Sequence, residues 1–272
     1  MNPQEFAETG APESASGGNS GPKLAPLGNI RIVLVETSHP GNIGAVARAM
    51  KTMQLSNLHL VRPKRFPCAE ATARAAGADD VLFDAKRWET LGQALRGCGW
   101  ACATSARARS IPWPELSPRE AAEKAVKTMR QTPVAIVFGR EQWGLTNAEL
   151  DGCHSLVHIP THPDFRSLNL AAAVQLLAYE VQLAWQHQEP AEVASPVMAS
   201  PCRIDELEGF YDHLEATLID IGYLNPDRPK RLMRRLRRLF NRAHPECSEI
   251  NILRGILTAT QRAAKERGND GH

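Results

Sequence analysis

The sequence predicts an α/β protein with a mostly parallel sheet, followed by a small helical domain. From Asn29 onward, short and almost continuously apolar runs alternate with longer segments of helical period, as parallel strands covered on both faces do. Helix candidates lie at 87–95 and 118–129, and the strand candidates are IRIVLV, NLHLV, DDVLF, GWACAT, PVAIVFG and SLVHIP. We therefore expect an α/β domain at 28–187.

The segments outside this domain differ in composition. Residues 1–27 are rich in Gly, Ser, Ala, Pro and Glu, which predicts a disordered tail. Residues 188–203 have the Pro, Ala, Ser and Glu of a linker. Beyond it, apolar residues recur every three or four positions, as in Leu207, Phe210 and Leu214, which predicts a helical module at 204–272.

Composition excludes several classes of protein. No apolar run approaches the ~18 residues of a membrane span, and the N-terminus resembles no secretory signal. The six cysteines form no CxxC pair, so we expect free thiols and no metal site. A cytoplasmic protein fits these features. The formal net charge of +2 is too small by itself to indicate a nucleic-acid partner.

The first strand candidate ends at an unusual junction, HPGNIGAVARAM, where two glycines accompany the start of a helix. Glycines there permit a tight turn and a close approach of the backbone to another chain segment or to a ligand. The pattern is neither GxGxxG nor GxxxxGK, so it predicts no dinucleotide or phosphate loop. Arg48 is the arginine of this otherwise apolar helix. Taken alone, its position needs no function, because an arginine can pack the methylene groups of its side chain on apolar surface and keep its guanidinium in water.

Three further strand ends carry comparable loops: ATSARAR, FGREQWGL and IPTHPDFRSLNL. In open parallel sheets, ligands bind beyond the carboxyl ends of the strands. We therefore expect all four loops at one edge. The final segment, SLNLAAAVQLLAYEVQLAWQ, is apolar on nearly every face, so a second surface must cover it. Either the rest of the domain or a second subunit would do so.

Taken in order, NIRIVLVETSHPGNIGAVARAMKTM, VAIVFGREQWGLTNAEL and IPTHPDFRSLNLAAAVQLLAYEV resemble the three signature motifs of SPOUT-class RNA 2'-O-ribose methyltransferases. The resemblance continues through IPWPEL and SEINILRGIL and is strongest to members that act on tRNA. It implies a C-terminal trefoil knot, which the general rarity of knots argues against. It also implies a homodimer, the cofactor S-adenosylmethionine, and no metal.

The resemblance also implies the site residues. The cofactor-binding residues would be Thr104, Ser105, Ala106, Gly139, Ile159, Arg166, Ser167 and Leu168. Relatives often have a small residue at the position of Arg166, which implies that its backbone alone contacts the cofactor. The catalytic residues would be Arg48, Asn42, Ser167 and Asn169. Glu141 is either functional or a structural hydrogen-bond acceptor.

The implied reaction is 2'-O-methylation of the first anticodon-loop nucleotide of tRNA, position 32, a cytidine or uridine. A guanidinium is a poor general base, so we expect Arg48 to fix the adjacent phosphate and stabilise charge on the 2' oxygen. Proton removal then falls to phosphate or water. A ribosomal RNA methyltransferase and a non-catalytic RNA-binding protein of the same fold are the alternatives.

The segment PKRLMRRLRRLF predicts an arginine-rich amphipathic helix that contacts RNA phosphates. Its RNA-binding candidates are Arg231, Arg234, Arg235, Arg237 and Arg238. A solvated helix face and a membrane-surface helix are the other interpretations. Acidic residues of the preceding helix would then take up part of the charge: Asp205, Glu206, Glu208 and Asp212.

Overall fold

The computed structural model describes residues 27–105, 113–187, 202–227 and 231–269. Within them lies a seven-stranded sheet of order β3-β2-β1-β6-β4-β7-β5, in which every pairing is parallel. The strands are β1 (Ile30–Val35), β2 (Asn57–Val61), β3 (Lys86–Trp88), β4 (Trp100–Thr104), β5 (Glu115–Leu116), β6 (Val134–Phe138) and β7 (Ser155–Val157). The predicted α/β class is confirmed.

Helices cover both faces of the sheet. In the α/β domain these are α1 (Pro40–Thr52), α2 (Ala69–Ala75), α3 (Asp79–Phe83), α4 (Leu91–Leu95), α5 (Pro118–Thr128), α6 (Asn147–Asp151) and α7 (Leu170–Gln186). Strand β1 shows how the faces divide, because Ile32 and Leu34 join one core with α1, α5 and α7, while Val33 and Val35 join the other with α4. Such two-sided burial explains the continuous apolar runs.

Two predicted elements are wrong. DDVLF is the short helix α3, because an apolar run of this length fits either a strand or a helical turn. Only the second half of the helix predicted at 87–95 exists, since Lys86–Trp88 is strand β3. Thr90 caps α4 in a capping box with Gln93, and that box sets where the helix begins.

The C-terminal module consists of α8 (Ile204–Asp220), α9 (Leu232–Ala243) and α10 (Cys247–Asn269) around a core that includes Phe210 and Tyr211. It joins the sheet domain where the amide of Ile204 donates to the Cys98 carbonyl over 2.9 Å. Among the described helices, none is both long and apolar enough to cross a membrane.

Two residues that the sequence assigned to the tail and the linker are buried in the structure. Leu27, assigned to the tail, is fully buried, and Cys202, assigned to the linker, is 2% exposed. The rest of the predicted tail and the linker residues 188–201 lie outside the described residues. The trefoil knot stays a prediction.

Candidate active site

A cavity of about 600 Å³ opens at the carboxyl edge of the sheet. Its walls come from the segments after β4, β6 and β7 and from the start of α7. Because all strands are parallel, their carboxyl ends meet at this one edge, where ligands bind in open α/β sheets. Its volume lies within the ~300–1,000 Å³ of small-molecule sites.

The cavity collects most of the residues that the resemblance assigns to the cofactor. Its lining includes Thr104, Ser105, Gly139, Ile159, Arg166, Ser167 and Leu168. Ala106, also assigned to the cofactor, lies outside the described residues. Thr104 has a structural contact as well, because its hydroxyl donates to the Val137 carbonyl over 3.2 Å. The exposed Arg166 donates through Nε to the Pro163 carbonyl over 2.7 Å, within the same loop.

Glu141 joins the loop after β1 to the loop after β6. Its Oε2 accepts from the backbone and hydroxyl of Ser38 at 3.1 and 2.9 Å. Its Oε1 accepts from the His39 amide at 3.3 Å and from Asn42 Nδ2 at 2.9 Å. The Asn42 carbonyl oxygen in turn accepts from Asn169 Nδ2 at 3.2 Å. This network (Ser38, His39, Asn42, Glu141 and Asn169) thus brings the three sequence motifs together.

The electrostatics of Glu141 follow from those contacts. Burial alone would raise the pKa of its carboxyl, but hydrogen bonds from Asn42 and Ser38 outweigh burial and lower it. The carboxylate is therefore ionised at neutral pH. It acts as an acceptor that orients Asn42, while the side-chain oxygen of Asn169 also caps α7 through the Ala171 amide at 2.9 Å.

A second charged cluster shapes the loop after β6. Arg140 donates to both carboxylate oxygens of Glu149 at 2.9 Å and to Glu36 Oε2 at 2.7 Å. These hydrogen bonds, led by those to Glu149, raise the pKa of Arg140 and hold it charged. Glu36 has a φ of +48°, a left-handed conformation that is uncommon for a residue with a side chain. The ion pairs with Arg140 and Arg62 hold it in place.

The glycines of this edge approach other chain segments. A Cβ on Gly44 would lie 2.0 Å from the Ala71 carbonyl oxygen, so this glycine allows α1 to pack on α2. A Cβ on Gly139 would lie 2.3 Å from the carbonyl carbon of Gly144 across the loop. The sequence left two possibilities open for the glycines of HPGNIG, a neighbouring chain segment or a ligand. The structure shows the first at both of them, since a Cβ on Gly41 would lie 3.2 Å from Glu70 Oε1.

Arg48 does not line the cavity. It is exposed on α1, six residues after Asn42, or roughly 9 Å along the helix axis at 1.5 Å per residue. Within one chain, Asn169 therefore hydrogen-bonds to Asn42 and Ser167 lines the cavity, whereas Arg48 takes part in neither.

Family models match both parts of the chain. Residues 29–179 match the SpoU rRNA Methylase family, and residues 205–269 match the tRNA methyltransferase TrmJ C-terminal domain. A Klebsiella pneumoniae tRNA (cytidine/uridine-2'-O-)-methyltransferase TrmJ is 54% identical over 88% of this chain and 99% of its own length. The chain belongs to the TrmJ family of SpoU methyltransferases.

Other relatives agree with this assignment. A Pseudomonas aeruginosa tRNA (cytidine/uridine/adenosine-2'-O-)-methyltransferase TrmJ is 53% identical over 88% of this chain and 96% of its own length. Among solved structures, TrmJ from Z. mobilis aligns with a TM-score of 0.73 and 34% identity, covering 84% of this chain and 97% of that one. The similarity thus extends through the helical module as well as the sheet domain.

In this TrmJ-family chain, the arginines of α9 fall into two groups. Arg234 Nε lies 2.8 Å from Asp151 of α6, and Arg237 pairs with Glu208 at 2.5 Å while its guanidinium covers the Tyr211 ring. These two attach α9 to neighbouring elements. Arg231 and Arg235 are exposed, and Arg238 is half-buried. The sequence offered four acidic residues of α8 as partners for these arginines. Of these four, Glu208 pairs with Arg237.

Sequence reasoning missed two features of this TrmJ-family site. The Arg140 cluster depends on Glu36 and Glu149, which lie far apart in sequence and meet only through the fold. Trp143 lines the cavity and is 68% exposed. The sequence signal that would have found it is a tryptophan in a loop flanked by glycines, FGREQWGL, because aromatic side chains in such loops can stack on ligands and bases.

Proposed function

We propose that this protein transfers a methyl group from S-adenosylmethionine to the ribose 2' oxygen of tRNA at position 32, a cytidine or uridine. One observation carries the proposal. Seven residues that the resemblance assigns to the cofactor line a single cavity, and the candidate catalytic pair Asn42 and Asn169 is hydrogen-bonded beside it. The 54% identity to the Klebsiella enzyme supports the tRNA substrate.

The cavity suits this cofactor in size and chemistry. Phe138, Ile159 and Leu168 offer apolar surface to an adenine ring, and the hydroxyls of Thr104 and Ser167 lie among them. Asp164 adds a carboxylate, which complements a cationic ligand. When bound, the cofactor supplies an activated methyl group on a positively charged sulfur.

The chain's own residues would position the ribose. Glu141 orients Asn42, Asn42 contacts Asn169, and Ser167 lies on the cavity wall two residues before Asn169. We assign these side chains to holding the target nucleotide, since catalysis by positioning alone gives large rate factors. Arg48 would bind the adjacent phosphate and stabilise negative charge on the 2' oxygen.

A second copy of the chain would bring Arg48 to the site. Helix α7 buries Val174, Leu177 and Val181 in the domain, as its apolar character demands. Its opposite stripe has Ala172 exposed, Tyr179 49% exposed, and Leu176 and Leu183 half-buried. These four residues share one helix face. We assign this face to a homodimer interface, in which Arg48 of one subunit completes the site of its partner.

Complementation tests the shared site. Arg48→Ala and Asn169→Ala homodimers should both be inactive. If residues of two subunits form each site, random mixing restores about a quarter of the wild-type activity, because half of the dimers carry one intact site of two. No recovery after subunit exchange, verified with differently tagged chains, would contradict the arrangement.

Methyl transfer itself is tested with labelled S-adenosylmethionine, unmodified tRNA and ribosomal RNA. Nuclease digestion and mass spectrometry should locate a 2'-O-methyl at tRNA position 32. Ser167→Ala should lose activity, whereas Ser56→Ala, on the exposed loop before β2, should keep it. Label in ribosomal RNA alone would favour the alternative substrate. Cofactor binding without transfer to either RNA would favour a non-catalytic RNA-binding protein.

A further inference from the structure

Two cysteines and a glutamate meet where the helical module begins. Glu206 Oε2 lies 3.5 Å from Cys202 Sγ and 3.0 Å from Cys247 Sγ. The two sulfurs and the carboxylate oxygen all lie within 4.8 Å of one another. Cys202 is 2% exposed, Cys247 is half-buried and Glu206 is exposed, so the cluster is closed on one side and open to solvent on the other.

The fold holds this cluster together independently of the thiols. The Cys202 amide donates to the Pro245 carbonyl at 3.2 Å, which joins the chain two residues before α8 to the chain two residues before α10. The Arg203 amide donates to Glu206 Oε2 at 2.9 Å, which fixes the carboxylate at the first turn of α8. Cys202 and Cys247 also pack in the core of the module. The three ligand atoms are therefore placed by backbone and core contacts before any ligand binds.

We propose that Cys202, Glu206 and Cys247 bind one thiophilic divalent cation of the zinc class. Two sulfurs and one carboxylate oxygen suit this class, whereas Mg²⁺ and Ca²⁺ require oxygen ligands. With Zn–S near ~2.3 Å and Zn–O near ~2.0 Å, a tetrahedral site needs sulfur–oxygen separations of about 3.5 Å. The distance from Cys202 Sγ to Glu206 Oε2 already has this length. The distance from Cys247 Sγ to the same oxygen would have to increase by about 0.5 Å. Water at the exposed side would supply the fourth ligand.

The cation would replace two thiol protons. Cations of the zinc class bind cysteine as the thiolate, so each thiol must lose its proton when the cation binds. On binding, each thiol releases its proton to solvent, and no electron is transferred.

The site would link the beginnings of α8 and α10. Next to it, the Asp205 carboxylate accepts from the Gly97 amide at 2.9 Å, which connects α8 to the sheet domain. A cation bound here would therefore stabilise the attachment of the module that carries the arginine helix α9.

Cobalt(II) is the direct probe. The full-length protein, untagged and reduced with a phosphine under anaerobic conditions, is titrated with Co²⁺. The expected result is one equivalent bound, with a thiolate-to-cobalt charge-transfer band and the visible bands of a tetrahedral site, all removed by Zn²⁺. Cys247→Ser should abolish the charge-transfer intensity or reduce it strongly. Cys68→Ser is the matched control, because this half-buried thiol lies before α2, outside the cluster, and it should bind as the wild type does.

Further variants keep the test independent of folding. Glu206→Gln retains both thiols and should weaken Co²⁺ binding by at least about tenfold, and melting of each metal-free variant verifies that it folds. No charge-transfer band in wild type would overturn the proposal, as would equal bands in wild type and Cys247→Ser. A Cys202–Cys247 disulfide that forms in air and persists when Zn²⁺ is present would overturn it as well.

Discussion

Replacing Glu141 by Gln should disconnect the three motifs at the candidate site. The carboxylate accepts four hydrogen bonds, two through each oxygen. A Gln keeps one acceptor oxygen and turns an NH₂ group toward the two remaining donors, so two hydrogen bonds to a charged group are lost. Each is worth about 1.5–3 kcal/mol. Because Glu141 is half-buried, we reduce the expected loss of stability to roughly 2–4 kcal/mol.

Two measurements check this prediction. The melting temperature should fall by roughly 4–16 °C, at about 2–4 °C per kcal/mol for a domain of this size. Single-turnover methyl transfer should slow by about 100-fold, because one amide oxygen cannot accept from both Asn42 and Ser38, and the loop that positions Asn42 is no longer held in place. Glu123→Gln, on the exposed face of α5, is the matched control and should change neither quantity. A Glu141→Gln protein that melts within about 1 °C of wild type and transfers methyl at the wild-type rate would refute the reasoning.

Three further predictions concern the loops, the module and pH. Gly139→Ala should weaken cofactor binding measured by calorimetry, since its Cβ would lie 2.3 Å from backbone; Gly92→Ala, with nothing within 4 Å, should not. Arg235→Glu should reduce tRNA affinity and its salt dependence without lowering the melting temperature, whereas Arg237→Ala should lower that temperature. Burial, followed by Lys124, lowers the pKa of His244 to about 4; its neutral form stabilises the fold fully above pH ~6.5, and that stability is lost as the pH falls toward 4. His244→Asn should therefore reduce the acid sensitivity of urea unfolding, by at most about 1.4 kcal/mol per pH unit.

The sequence predicted the strands that are buried on both faces of the sheet. Strands such as Ile30–Val35 and Val134–Phe138 lie in the middle of the sheet, so almost every position is apolar and the pattern is unambiguous. At the sheet edge, Lys86–Trp88 has two exposed residues and one half-buried residue and therefore carries no apolar signal. The burial that identifies a strand is a property of its neighbours, which a local sequence pattern does not contain.

The residues of the candidate site also divide into those that the sequence predicts and those that it does not. The loops after β4, β6 and β7 were predictable because Gly and Pro mark the ends of apolar strands, and a parallel sheet places those ends at one edge. The partners of Glu141 and Arg140 were not predictable, because the paired residues lie from 9 to 104 positions apart. The thiols of Cys202 and Cys247, separated by two helices, are also brought together only by packing. Motif spacing finds sites built from one segment and misses sites that the fold assembles.

Which arginines are paired within the chain says more about RNA binding than the formal net charge of +2 does. Arg140, Arg234 and Arg237 are neutralised by carboxylates within the chain. No ion pair among the described residues includes Arg48 or Arg235, and both are exposed. The paired arginines position loops and helices, while exposed guanidiniums remain available for phosphate. A polyanion would therefore meet cations on both parts of the chain, so we expect tRNA to span the sheet domain and the helical module.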